Sequence, residues 1–193
     1  MKRRWFLTVA FLLPLLTGST ARGDEVTVRW DIVHVTFAPL TFAAGGSASA
    51  KAEDGSQITL TGSGTFQLGE DSEVTGGGTW ETFSPSKVAT GTGTFVATGF
   101  IKFDVGPGIG GGAIDLIGPI ADSHDGLAFL RIRYSDGSRG VLVVSCRFNP
   151  GAVFEGITAS KGFVDYWSHV GPVPGVDGGR TLFHFVSSED EQR

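Results

Sequence analysis

The chain contains a single cysteine, Cys146, a single asparagine, Asn149, and a single methionine, Met1. One cysteine excludes an intrachain disulfide, so stability must come from an apolar core even in a compartment that permits disulfides. Asn149 precedes Pro150 and is therefore no glycosylation acceptor. No window sustains a 3.6-residue apolar period, which argues against long helices. The one continuous apolar run, Trp5 to Leu16, is shorter than the roughly 20 residues that cross a bilayer as a helix. Charge is sparse as well, with 18% Asp, Glu, Lys and Arg.

That apolar run follows Lys2-Arg3-Arg4 and precedes the small residues Ser19, Ala21 and Gly23, the pattern of a secretory signal peptide over 1–23. Cleavage is expected after Ala21 or after Gly23, the second leaving Asp24 first. Arg3-Arg4-Trp5-Phe6-Leu7 also resembles the twin-arginine export signal. The expected location is periplasmic or extracellular. No cysteine follows the run to carry a lipid, and no integral membrane segment is expected after cleavage. Removing Lys2, Arg3, Arg4 and Arg22 leaves 11 basic against 20 acidic residues, net −9, which makes nucleic acid an unsuitable partner.

What the chain has in abundance is glycine, 30 of 193 residues without a Gly-X-Y period. Short alternating apolar segments bounded by glycine recur from Val26 to Val186, predicting an all-β domain over 24–186 and an acidic disordered tail over 187–193. A mature chain of about 170 residues buries roughly 70% of its unfolded surface, enough for one domain. Val26, Val28, Trp30 and Ile32 share one parity and Val33, Val35 and Phe37 the other, which predicts a bulge near Asp31. Gly62-Ser63-Gly64-Thr65-Phe66, Gly76-Gly77-Gly78-Thr79-Trp80 and Gly91-Thr92-Gly93-Thr94-Phe95 repeat G-x-G-T-aromatic at intervals of 14 and 15 residues. That is strand spacing in a meander; the glycines permit sharp coiling and the aromatic covers bare backbone.

Leu127 to Phe148 reads as a hairpin with Asp136-Gly137 as a two-residue turn. That register sets Tyr134 against Arg139, Ile132 against Val141 and Leu130 against Val143, and the apolar content of both faces makes the hairpin central. Between Val105 and Ser123 runs a glycine-rich connection containing a literal G-x-G-x-x-G. Pro107, Pro119 and the surplus glycines deny the helix that a dinucleotide site requires, so it reads as a flap or lid. Ten segments are predicted: Val26–Phe37, Ser47–Ala52, Ile58–Leu68, Gly78–Phe83, Thr92–Phe103, Leu127–Tyr134, Gly140–Phe148, Val153–Ile157, Gly162–Trp167 and Thr181–Val186. Merging gives a single antiparallel meander barrel of eight to ten strands, with a two-sheet sandwich as the alternative. The terminal aromatics form no girdle, so a membrane barrel is not expected.

Val153-Phe154-Glu155-Gly156-Ile157, Lys161-Gly162-Phe163-Val164 and Thr181-Leu182-Phe183-His184-Phe185 together resemble the closing strands of the allene oxide cyclase and dirigent-like barrels, over at most Leu127–Val186. The chain also resembles an exported bacterial family with no assigned activity. The first resemblance implies a compact eight-stranded barrel with a hydrophobic cavity that handles a small oxylipin or phenolic molecule by shape. It transfers no functional residue.

The chemistry-bearing residues are dispersed. No two of His34, His124, His169 and His184 have the close spacing of a zinc site, and no metal or other cofactor is expected. Asp122-Ser123-His124-Asp125 has ligand types enough for a metal, but the same residues form ordinary turns. No nucleophile-elbow pattern selects a serine. Cys146, among Val143, Val144 and Phe148, reads as a buried, inert thiol. Trp30, Trp80, Tyr166 and Trp167 suit core or a sugar or lipid platform. Glu155 lies in an apolar strand, where an inward carboxylate would have a raised pKa, and His34 sits between Val33 and Val35. If a cavity exists, its mouth is expected beside Val105–Ser123, with Glu155 and His34 as its ligand-binding polar groups. No residue is assigned as catalytic. Two functions follow: an exported non-enzymatic binding or structural module whose partner is a small hydrophobic ligand or a cell-envelope component, or a cyclase- or isomerase-like barrel acting on a small hydrophobic substrate.

Overall fold

The computed structural model describes residues 26–69, 72–151, 153–170 and 179–186; the expected signal peptide and acidic tail lie outside the described residues. Fourteen strands are formed among the described residues. In chain order the first seven are β1 (Val26–Phe37), β2 (Leu40–Ala43), β3 (Ser47–Lys51), β4 (Gln57–Thr61), β5 (Ser63–Leu68), β6 (Gly77–Phe83) and β7 (Ala89–Gly108). They continue as β8 (Ile114–Asp115), β9 (Ser123–Tyr134), β10 (Arg139–Cys146), β11 (Gly156–Lys161), β12 (Val164–Tyr166), β13 (Ser168–Val170) and β14 (Arg180–Val186). Helical structure among the described residues is limited to one 3₁₀ turn, Ile120–Asp122.

The fold is all-β, with a closed six-stranded antiparallel barrel and additional strands. The ring runs β9–β14–β1–β5–β6–β7 and returns to β9. From β9 the sheet continues through β10, β11 and β12, and from β6 through β4, β3 and β13. The two flanks are tied by one short stretch. Tyr166 of β12 pairs with Ala159 of β11, while Ser168 of β13 pairs with Lys51 of β3, the switch falling at Trp167.

The repeated glycine motifs explain the coiling. β4 and β5 run against β6 in one register, broken only at Gly62. This register sets Gly64 across from Gly76 and Gly62 across from Gly78. A Cβ on Gly64 would stand 2.2 Å from the Thr75 carbonyl oxygen, and one on Gly78 would stand 1.9 Å from that of Thr61. Any side chain there would overlap main chain, so the motif serves close approach of two backbones. The third motif works through its partner's aromatic ring: Gly93 pairs with Trp80, whose indole covers Gly91 and Gly93 and donates its N–H to the Thr94 carbonyl at 3.1 Å. Phe66, Trp80 and Phe95, the three motif aromatics, are all buried.

One apolar core runs through the sheet interior, with Val28, Trp30, Phe66, Leu130, Ile132, Leu142, Ile157 and Phe183 fully enclosed. Phe66 stacks on Phe100 at 4.7 Å and meets Phe103 at 5.2 Å, and Phe103 meets Phe183 at 5.0 Å. The expected bulge at Asp31 is absent. β1 keeps an unbroken register against β14 from Thr27↔Val186 to Val33↔Arg180. Its two apolar parities arise because both faces are covered: Trp30 and Ile32 face the core, while Asp31 and Val33 are buried on the other side.

The β9–β10 hairpin is central, between β7 and β11, but its register differs by one residue from the expected one. Leu142 pairs with Leu130 and Arg139 with Arg133. The turn has three residues: Gly137 N–H donates to the Tyr134 carbonyl at 3.0 Å, Tyr134 N–H donates to the Ser138 carbonyl at 2.9 Å, and Gly137 has φ +87°. This is a type I turn closed by a left-handed glycine, a form that Ser-Asp-Gly supports as well as Asp-Gly supports a two-residue loop. Two segment boundaries also move. Val153–Ile157 is not a strand; β11 starts at Gly156, and Gly162-Phe163 is the two-residue turn into β12.

Candidate functional site

A cleft of about 220 Å³ opens where the end of β10, the start of β14 and the β1–β2 hairpin converge. Its apolar walls include Val35, Phe37, Leu40, Phe42, Ile109, Phe148 and Leu182. Strand alternation sends Val35 and Phe37 of β1 and Leu40 and Phe42 of β2 to the same side, since Phe37 pairs with Leu40 and Val35 with Phe42. Phe42 and Phe148 meet edge to face at 6.0 Å. Arg147, Glu155 and Arg180 supply the charge in the lining.

Glu155 occupies the bend before β11, not the apolar strand expected for it, and the left-handed Gly156 (φ +112°) follows it. Its Oε1 accepts the Thr181 N–H at 2.9 Å and its Oε2 accepts the Arg147 N–H, so the carboxyl bridges β10 and β14. Burial pushes its pKa up to about 7, against the pull of those two N–H donors and of Arg180. A carboxyl so poised exists in both protonation states near neutrality and can give or take a hydrogen bond. Cys146, also in the lining, is a buried thiol whose pKa is pushed well above the ordinary thiol value by burial and by Glu155 and Asp125. It stays protonated and is no nucleophile.

His34 does not join Glu155. It pairs with Ala43 and is exposed, because its neighbour Val35 takes the cleft side and alternation turns the imidazole away. Ile109 does bring the Val105–Ser123 connection to the cleft. That connection differs from a free flap. β7 runs on to Gly108, Leu116 N–H donates to the Phe42 carbonyl at 3.0 Å, and Asp115 binds His184 Nε2 at 2.8 Å. Asp115 Oδ1 also accepts the N–H groups of Ile117 and Gly118. The Asp115 pKa is lowered: its bonds to His184 and to these amides outweigh the opposing effect of burial. Asp115 and His184 are both buried, and only at Gly110–Gly112 would an added side chain meet open space along this stretch.

The Asp122-Ser123-His124-Asp125 run is structural. Ser123 donates to the Ile120 carbonyl at 2.7 Å, His124 lies 4.7 Å from the Phe185 ring, and buried Asp125 accepts the N–H groups of Phe148 and Asn149 at 2.7 and 2.9 Å. Asp125 thereby shapes the chain carrying Arg147 and Phe148 into the cleft. Among the described residues no group of three His, Cys, Asp or Glu side chains could hold a metal. Of the four aromatics considered for a platform, Trp30, Trp80 and Tyr166 are core and Trp167 is half exposed. His169 lies outside the residues whose side chains are described. Sequence reasoning missed Phe37, Leu40, Phe42, Arg147 and Arg180. The signal for the first three was present: Phe37 and Leu40 flank an Ala-Pro pair, with Val35 and Phe42 two residues further out on either side.

Comparison with protein-family models, with curated proteins and with solved structures finds no match for this chain.

Proposed function

We propose that this chain is an exported, non-enzymatic binding module of the cell envelope that holds a small amphipathic molecule in the cleft beside Glu155. The supporting observation is an apolar-walled cleft carrying Arg147, Glu155 and Arg180 as its charged lining. At about 220 Å³ it is smaller than the roughly 300–1,000 Å³ of sites for drug-sized ligands, so its occupant is a single ring or a short chain. The packed aromatic interior leaves the cleft, not the barrel lumen, as the place for a guest.

The test is extraction of the purified protein followed by mass spectrometry, with calorimetric titration of small phenols and medium-chain fatty acids. A stoichiometric guest in the native protein, lost in Phe37→Ser/Phe148→Ser, supports binding; these two rings are exposed and their loss spares the core. An empty cleft that takes none of these probes overturns it and leaves a structural role. The second reading is a cyclase- or isomerase-like activity on the same class of molecule, favoured by the near-neutral pKa of Glu155. There, Glu155→Gln would abolish turnover of a bound probe without abolishing its binding.

A further inference from the structure

A different face of the molecule carries an unbalanced charge. Arg131 and Arg133 on β9 and Arg139 on β10 line one open concavity of about 670 Å³ with Ser160, and no carboxylate is among its lining residues. All three arginines are exposed, and no hydrogen bond or ion pair engages their guanidinium groups among the described residues. Arg133 and Arg139 are directly paired across the two strands, and Val141 pairs with Arg131, so the three point to the same side of the sheet. Like charges directly opposite each other destabilise a sheet unless something neutralises them.

Asp136, in the turn between these strands, is committed: Lys161 and the Ser138 hydroxyl and N–H bind it. Asp165 of β12 pairs with Ser160, one strand beyond the dish, and makes no ion pair with the arginines among the described residues. Part of the floor is bare backbone at Gly99, alongside which the Arg131 side chain lies. Gly140, opposite Ile132, faces the core side, where β11 crosses it closely. Ser160 Oγ accepts the Val141 N–H at 3.0 Å, which leaves its own hydrogen to donate.

From this geometry we infer an anion site: the Arg131–Arg133–Arg139 dish binds a compact tetrahedral oxyanion, a phosphate or sulfate ester. Guanidinium forks match such oxygens in bidentate fashion. The acidic balance of the remaining chain selects for size. A long polyanion would extend beyond the roughly 8–10 Å over which the local positive field acts and would meet net negative protein, whereas a compact dianion sits wholly inside it.

The test is calorimetric titration of the full chain with sodium pyrophosphate at low ionic strength, against sodium chloride at matched ionic strength. Saturable binding is expected, weakened about tenfold or more in Arg133→Gln/Arg139→Gln. Without the anion, that variant should melt no lower than the parent, because a like-charge pair has been removed. Lys87→Gln/Lys102→Gln removes the same net charge elsewhere and should leave binding intact. Sodium sulfate binding as well as pyrophosphate would support a sulfate ester as guest, and preference for pyrophosphate a phosphate ester. The proposal is overturned if millimolar pyrophosphate gives no saturable heat, if the arginine variant binds equally well, or if the lysine variant loses as much. Binding of a long sulfated polymer with none of pyrophosphate would overturn it too.

Discussion

The two faces of β1 and β14 are stabilised in different ways. On one, Val28, Trp30 and Phe183 join the aromatic cluster around Phe66, and shape decides everything; one donor, Trp30 Nε1, is buried there without a partner among the described residues. On the other, Asp31, Leu182 and His184 lie buried, with polar partners for the carboxylates, although one ring nitrogen, His184 Nδ1, also has no partner among the described residues. Arg29 reaches Asp31 at 2.7 Å, and His184 reaches Asp115 at 2.8 Å. A close-packed interior resists any change of volume, whereas a cover held through a carboxylate, Asp115, responds to pH and loosens locally. The candidate cleft sits on the second face, where adjustment is cheaper.

The sharpest way to break this contrast is within the interior. Phe66→Ala removes the ring that touches Phe100, Phe103 and Phe183 and should cost about 4 kcal/mol in urea denaturation. A loss below about 1 kcal/mol would mean the cluster is loosely packed. Next in size, Gly78→Ala places a methyl where main chain already stands and should cost about 3 kcal/mol, at the upper end of overpacking. On the covered face, Asp115→Asn should cost about 2 kcal/mol at neutral pH by weakening three hydrogen bonds to a charged acceptor. Hydrogen exchange should then rise at 114–118 and not at β9. Equal loosening of both regions would show that the cover is not a separable unit.

The two perturbed carboxyls give opposite pH arms. Asp115 has its pKa lowered, so its contribution is present above the unfolded value of about 3.9 and is lost as pH falls through the folded value. Glu155 is raised to about 7, so the fold favours its protonated form; that contribution is full below about 4.5 and is lost as pH rises to 7. Melting temperature should decline across pH 4.5–7 in the parent and stay level there in Glu155→Gln. The smallest expected effect is at Gly137, where an added methyl meets nothing but φ is +87°; Gly137→Ala should cost about 1 kcal/mol.

The interior face was legible because its signals are local. Alternation marks β1, β9, β10 and β14, and the G-x-G-T-aromatic repeat marks the coiled strands at the right spacing. The covered face was not, because its lid comes from a stretch broken by glycine and proline that carries no alternation long enough to read as a strand. Nothing in Ile114-Asp115 says that it will pair with Thr41-Phe42 or that Asp115 will meet His184, 69 positions away. Glu155 was singled out as a charge among apolar neighbours, and the cleft contains it; His34 was singled out on the same ground and faces away, because parity decides direction and the β2 partner strand had not been foreseen. The hairpin register slipped by one for a related reason. Ser135-Asp136-Gly137 fits two turn geometries, and alternation reads both of its faces as apolar.

The pairing of β1 with β14 also dictates when this molecule can fold. It joins residues roughly 150 positions apart, near the two ends of the described chain, and such long-range pairing is slow because loop closure precedes any reward. β1 is flanked by β5 and β14, so until the last strand is available it presents an unpaired edge and the aromatic cluster lacks Phe183. A chain ending before Arg180 therefore leaves β1 unpaired on one side and the aromatic cluster without Phe183. Barrel closure waits on this long-range pairing, and a chain whose β1 is still unpaired is open to aggregation and proteolysis.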